Sequence, residues 1–332
     1  MFNDHPPLSP LPSREGIRAR AHALTVQRFG RVMQLYTPLY LSNECIDTCL
    51  YCGFSRTNKI ARKTLTVEEV LKEAQFLIDE GFQHLLLVSG EHPKKVSIEY
   101  LSAIALQLRP RISSIKIEVA PFFDAESYRT LAAAGIDGVV IYQETYNREI
   151  SKKMHVGGPK QDFDRRLQAV EAACEAGIRS IGIGVLLGLS DWREEIVALV
   201  HHAKHLMKKY WRTEVTLSLP RLKPCASGFQ PLTHVTDQAL EEIICQLRLQ
   251  LPEAGIILST RERPEFRNRL IKMGVTHMSA GSRTEPGGYT QPDEAGKQFE
   301  LEDHRSVPEV VQSIIDAGYE PVFKDWETSL FG

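Results

Sequence analysis

Cys45, Cys49 and Cys52 share one short stretch, Cys45-Ile46-Asp47-Thr48-Cys49-Leu50-Tyr51-Cys52-Gly53-Phe54. Their spacing is Cys-x3-Cys-x2-Cys, and soft thiolates hold iron well. Three such ligands can wrap three corners of a cube-shaped [4Fe–4S] cluster. The remaining iron then has no protein thiolate, and a small chelating molecule can bind there. Two other readings stand beside this one: buried structural thiols, or a zinc site short of a ligand. His84 and His92 are available in sequence, but neither has zinc-motif spacing. Cys174, Cys225 and Cys245 are scattered and form no second cluster motif.

Composition narrows the setting. The chain has 332 residues, 42% of them hydrophobic and 25% charged, as expected of a soluble globular protein with a full core. A formal charge of -2 gives no nucleic-acid footprint. No apolar run reaches the length of a transmembrane span. The first residues are proline-rich and lack the apolar centre of a signal peptide. A clustered thiol trio fits a reducing, metal-handling cytoplasm better than a disulfide scaffold.

The elements around the cysteines alternate. Residues 1–13 carry Pro6, Pro7, Pro10 and Pro12 and are read as a surface segment. Ile17, Ala21, Leu24 and Phe29 predict an amphipathic helix from Arg14 to Phe29, closed by Gly30. Val32 to Leu41 reads as the first strand, with Pro38 at its end or at a bulge. Thr66 and Glu69 make a capping box for the next helix. Leu85-Leu86-Leu87-Val88 is a continuous apolar run, as a parallel sheet covered on both faces requires. The pattern then repeats, with strands expected near residues 34, 84, 115, 138, 180, 214, 256 and 276. Each is followed by a helix, the later ones being Ser97–Leu108, Ala125–Ala134, Phe163–Ala176, Trp192–Lys209, Asp237–Leu249, Pro264–Lys272 and Pro308–Ala317. This predicts an α/β fold, a closed (β/α)8 TIM-type barrel with its chemistry at the C-terminal strand ends. The runner-up is an open doubly wound sheet, but the loop after strand one holds cysteines instead of a glycine-rich turn. The expected organisation is an N-terminal segment and helix over 1–30 and one barrel domain over 31–332.

Several polar groups fall at the expected strand ends. They are Ser89-Gly90-Glu91, Glu118, Gln143 within Tyr142-Gln143-Glu144-Thr145, Arg221, Arg261 and Glu262, Ser279, Ser282 and Arg283. Each alone could be a loop residue or a structural hydrogen bonder. Together, beside a cysteine loop, they suggest a ligand site. Glu118 interrupts an apolar run, and a carboxylate pointing into a barrel needs a partner. Gly182 and Gly184 lie inside a strand and read as close backbone approach rather than a phosphate cradle. Gly287-Gly288 reads as a plain turn or an anion nest. His201 and His205 share a face of an outer helix without a third ligand, and His155 falls near the mouth.

The cysteine loop resembles the signature of the radical S-adenosylmethionine (SAM) superfamily, with Tyr51 as its aromatic. Further stretches resemble one branch, the ThiH-type tyrosine lyases or 2-iminoacetate synthases. They include Tyr36-Thr37-Pro38-Leu39-Tyr40-Leu41-Ser42-Asn43, Leu87-Val88-Ser89-Gly90-Glu91-His92, Tyr142-Gln143-Glu144-Thr145-Tyr146, Ser218-Leu219-Pro220-Arg221-Leu222, Ser259-Thr260-Arg261-Glu262, Glu285-Pro286-Gly287-Gly288-Tyr289 and Phe323-Lys324-Asp325-Trp326.

The resemblance implies a lyase that cleaves the Cα–Cβ bond of L-tyrosine to 2-iminoacetate and p-cresol, for thiamine thiazole biosynthesis. It implies a [4Fe–4S] cluster on Cys45, Cys49 and Cys52, and SAM on the open iron. SAM would be cleaved to methionine and a 5′-deoxyadenosyl radical that takes a hydrogen atom from the substrate amine. By the same resemblance Tyr51 and Phe54 border the cluster and adenine, and Ser89, Gly90 and Glu91 meet the SAM amino group. Arg166 resembles the arginine on the SAM carboxylate. Glu118 and Gln143 contact SAM or the substrate amine, and Arg261 clamps the substrate carboxylate with Ser279 or Ser282. Implied partners are a thiazole synthase and a flavodoxin- or ferredoxin-type electron donor, with no nucleic acid and no membrane. The chain begins late relative to the family, so an N-terminal element is expected to be absent or altered. No cysteine follows Cys245, which argues against a related activity that makes carbon monoxide and cyanide. Alternatives are a radical SAM enzyme acting on tryptophan or another amino acid, or a non-catalytic iron–sulfur scaffold.

Overall fold

The structure is a computed structural model and describes residues 13–291 and 296–324. The proline-rich start and the end of the Phe323-Lys324-Asp325-Trp326 stretch lie outside the described residues.

Eight parallel strands form the barrel: β1 (Val32–Ser42), β2 (His84–Ser89), β3 (Ser114–Glu118), β4 (Gly138–Val140), β5 (Ser180–Gly184), β6 (Glu214–Ser218), β7 (Gly255–Leu258) and β8 (His277–Ser279). Each pairs with the next, and β8 returns to β1 through Gln34↔His277 and Tyr36↔Ser279. The sheet therefore closes, and the open doubly wound alternative is excluded. Alternation along the strands separates two cores. Leu85 and Leu87 pack outward with the helices, whereas Leu86 and Val88 join Tyr36, Tyr40 and Val140 inside the barrel. Glu320–Val322 adds a short parallel strand beside the start of β1, which the apolar pattern did not announce.

The helices follow from their caps and apolar faces. Helix α1 (Arg14–Phe29) is capped by Ser13 and stopped by Gly30 at φ 71. It packs on the outer layer, where Arg18 pairs with Glu241. Helix α2 (Val67–Asp79) has both bonds of the Thr66–Glu69 capping box and buries Val70, Ala74 and Leu77. Next come α3 (Ile98–Leu108) and α4 (Ala125–Ala134), then α5 (Arg148–Met154), which no apolar period predicts. After them run α6 (Phe163–Glu175), α7 (Trp192–Lys209), α8 (Asp237–Gln250), α9 (Pro264–Leu270) and α10 (Val307–Asp316). No helix among the described residues is long and apolar enough to cross a membrane.

Pro38 is neither at the end of its strand nor at a bulge. It pairs in register with Leu86, and the irregularity falls later, between Tyr40 and Ser42. That bend turns the chain out of the barrel and into the cysteine loop.

Candidate active site

The cysteine loop is tied to the barrel mouth at several points. Ile46 N–H donates to Glu91 O at 3.0 Å, and Gly90 N–H donates to Ser42 O at 2.9 Å. A Cβ on Gly90 would lie 2.4 Å from Glu44 O, so only glycine lets these two segments cross. Thr48–Cys49 then pairs antiparallel with His155–Gly157, a small two-stranded ribbon that clasps the loop to the end of α5. Within it, the Tyr51 hydroxyl lies 2.8 Å from His155 Nε2, and Ser151 Oγ lies 3.1 Å from Nδ1. Burial, helped by the nearby Lys160 and Arg166 charges, pushes His155 down to about 3, so the ring is neutral. His155 therefore positions Tyr51.

Cys45, Cys49 and Cys52 line one cavity at the mouth. Among the described residues no three His, Cys, Asp or Glu side chains converge on a single metal-ion point. Cys45, Cys49 and Cys52 are three sulfur donors at one opening, the donor set that an iron–sulfur cluster takes. Burial pushes the Cys45 thiol up to about 12 and Cys49 well above its usual value, so these thiols hold their protons until a metal takes their place. Cys225, distant in sequence, comes beside the loop with its Sγ 3.3 Å from Tyr51 O.

The same cavity is lined by Tyr51, Phe54, Ser89, Gly90, Glu91, Glu118, Arg166, Arg261, Ser279 and Ser282. Gln143 is the exception. Its amide donates to Phe163 O at 3.2 Å, and the next residue, Glu144, lines the cavity instead. The reason is local backbone. β4 ends at Val140, so strand alternation no longer governs these positions. Glu144 also adopts φ 69, a left-handed conformation rare outside glycine. Its backbone is held there by Leu186 N–H at 2.8 Å.

Glu144 belongs to a buried ion network at one wall. Lys160 Nζ lies 2.7 Å from Glu144 and 3.4 Å from Glu91, and Arg166 Nη1 lies 2.9 Å from Glu91. Arg166 Nε also donates to Tyr142 O at 2.6 Å. Burial opposes the charge on Glu91, but Arg166 and Lys160 outweigh it and hold its carboxyl below the usual range. Burial and Arg166 likewise oppose the Lys160 charge, but Glu144 and Glu91 keep it protonated. Lys160 N–H donates to Asp47 Oδ1 at 2.8 Å, joining this wall to the cysteine loop. Sequence reasoning missed Lys160, because it sits in a single 3-10 turn, Pro159–Gln161, too short for any apolar period, between the short strand His155–Gly157 and α6.

The opposite chemistry comes from the ends of β7 and β8. The Arg261 guanidinium lies 3.3 Å from the centre of the Phe299 ring, and burial lowers its pKa. Among the described residues no carboxylate pairs with it. Ser279 Oγ accepts from Thr260 N–H at 3.0 Å, while buried Arg267 pairs with Asp303 and donates to Ser279 O. Ser282 Oγ is buried with no partner among the described residues. Glu118 projects from the end of β3, where burial and then Glu144 raise its carboxyl to about 7. Gln298 and Phe299 reach the cavity from a late loop, and Gln298 accepts from the Tyr40 hydroxyl at 2.6 Å. Arg221 and Glu262 pair with each other outside this cavity.

Comparison with known proteins gives this geometry a context. The radical SAM superfamily matches residues 39–200, and the Biotin and Thiamin Synthesis associated domain matches residues 218–320. Both matches fall within the one closed barrel. The chain is 42% identical over 317 residues to 2-iminoacetate synthase of Escherichia coli (strain K12), covering 95% of this chain and 84% of that protein. The FeFe-hydrogenase maturase HydG from Carboxydothermus hydrogenoformans superposes with TM-score 0.87 at 40% identity, over 93% of this chain and 72% of that one. Methylornithine synthase (PylB) shares the fold, with TM-score 0.76 at 22% identity over 94% of this chain and 91% of that one. Three thiols at the mouth of a closed parallel barrel, and likeness along nearly the whole chain, place the protein in the 2-iminoacetate synthase family of radical SAM enzymes, which work with a [4Fe–4S] cluster and SAM.

Proposed function

We propose that this protein cleaves the Cα–Cβ bond of L-tyrosine to give 2-iminoacetate and p-cresol, with SAM converted to methionine and 5′-deoxyadenosine. One observation carries the reading: the cysteine loop and an unpaired arginine with two serines line a single cavity. Cys45, Cys49 and Cys52 would hold the cluster, and Ser89-Gly90-Glu91 with Arg166 would hold SAM. When bound, these groups supply the one-electron chemistry that removes a hydrogen atom from the substrate. The chain's own residues bind, orient and shield. Arg261 would grip the substrate carboxylate, its plane fixed by Phe299. Ser282 Oγ, buried without a partner among the described residues, offers a further hydrogen bond to that carboxylate. Glu118 titrates near neutrality and would take a proton from the substrate ammonium. The amine would then be neutral when its hydrogen atom is removed. Tyr36, Tyr40 and Phe54 supply aromatic walls that limit water.

The imine hydrolyses readily, which favours direct transfer to a thiazole synthase. The match to a domain associated with biotin and thiamin synthesis supports that place in metabolism. A flavodoxin- or ferredoxin-type protein would supply electrons in a reducing cytoplasm. The test is anaerobic turnover with SAM, dithionite and tyrosine, beside a tryptophan reaction. The expected products are 5′-deoxyadenosine, p-cresol and glyoxylate from imine hydrolysis, with tyrosine alone. Deoxyadenosine without p-cresol would reject the substrate assignment.

A further inference from the structure

The small two-stranded ribbon that clasps the cysteine loop carries an exposed apolar pair. Leu50 is 41% and Val156 49% accessible. They belong to one surface, since Leu50 N–H donates to Met154 O at 3.0 Å and Cys49 pairs with His155. The other exposed large apolar side chains among the described residues, such as Leu106, Val197 and Trp211, lie on separate segments. Isolated ones are ordinary, whereas Leu50 and Val156 are brought together by strand pairing between distant segments.

This pair has a basic rim. Lys152 and Lys153, exposed at the end of α5, immediately precede Met154. From the cysteine loop itself, Arg56 N–H donates to Asp47 O at 2.8 Å, and the Asn58 amide donates to Cys52 O and Gly53 O at 2.9 Å. Those bonds hold exposed Arg56 and Lys59 beside the loop. None of these four cations has an ion-pair partner among the described residues. Glu149 is the exposed acid of the same two stretches, on a chain whose net charge is -2.

Position gives the patch its meaning. Cys49 is buried, yet Leu50, bonded directly to it, reaches the surface. The ribbon face is therefore a short path from solvent to a cluster ligand. We propose that it is the docking surface for a small acidic one-electron carrier protein, an inference that rests on the cluster assignment above. Rim charges steer the encounter and fix orientation, and the apolar pair makes the dry contact. One electron leaves the reduced carrier, which is oxidised by one electron. The bound cluster gains it and passes from the 2+ to the 1+ state, with no atom transferred.

The test uses reconstituted protein and purified flavodoxin. Calorimetry measures flavodoxin binding at low and high salt, and stopped-flow absorbance measures cluster reduction by fully reduced flavodoxin. In Lys152→Glu/Lys153→Glu, binding weakens and flavodoxin-driven reduction slows by about tenfold at low salt. Reduction by dithionite is unchanged. Lys59→Glu, beside the cysteine loop, shows a smaller loss of the same kind. Wild-type binding weakens as salt rises. Equal flavodoxin binding and reduction in the variants and wild type would overturn the proposal, as would salt-independent binding. A wild-type cluster that dithionite itself cannot reduce would instead overturn the cluster reading beneath it.

Discussion

Arg261 and Glu118 place opposite charges at one cavity, and each has a distinct test. Arg261 offers a planar fork stacked on Phe299, which a lysine cannot reproduce. Arg261→Lys is expected to raise the KM for tyrosine by about tenfold or more, with the iron content and ultraviolet–visible spectrum of the cluster unchanged. A KM equal to wild type would remove Arg261 from the carboxylate clamp. Glu118 bears on stability. Its folded carboxyl titrates near 7, raised from 4.5 by burial and by Glu144. Between those values the folded chain keeps a proton that the unfolded chain has lost, so stability falls as pH rises through the window. Glu118→Gln removes the penalty. The metal-free variant should melt above wild type at pH 8, with the gap closing as pH falls toward 4.5. A gap that widens on acidification would contradict the assignment.

At the scale of elements, the crossing of the Ser89-Gly90-Glu91 turn with the cysteine loop holds the site together. Gly90→Ala places a methyl 2.4 Å from Glu44 O, and backbone there cannot yield cheaply. Reconstituted Gly90→Ala is expected to hold markedly less than four irons per chain by iron analysis, while its circular dichroism stays that of a barrel. A full cluster in this variant would show that the crossing is dispensable. The same turn marks the line between what sequence reveals and what it hides. Helices α4 and α7 fall on the expected residues, and the structure shows why: Asp124, Gly135 and Asp191 cap them locally. The thiol loop is legible for the same reason. The ion network is not: Glu91, Glu144, Lys160 and Arg166 come from four separate segments. The exchange of Gln143 for Glu144 depends on one left-handed residue after a strand ends early. The ribbon of Thr48–Cys49 and His155–Gly157 joins distant segments and is too short for any period to show.

For the molecule as a whole, eight apolar runs separated by helices foretold the barrel, since strands buried on both faces must be apolar throughout. Closure adds what the pattern lacks. It brings β8 against β1, so Ser279 stands in register with Tyr36 and the arginine end of the barrel adjoins the cysteine end. Gln298 and Phe299 then cover the cavity from a segment with no regular structure, invisible to periodicity. On the proposed function, this closure orients tyrosine with its carboxylate on Arg261 and its amine toward SAM. The most direct test runs the reaction in D2O, where amine hydrogens exchange, and measures deuterium in 5′-deoxyadenosine by mass spectrometry. A matched reaction in H2O uses tyrosine deuterated on its carbons. Label is expected from D2O and none from the carbon-deuterated substrate. Label carried from a carbon position, with none from D2O, would contradict it.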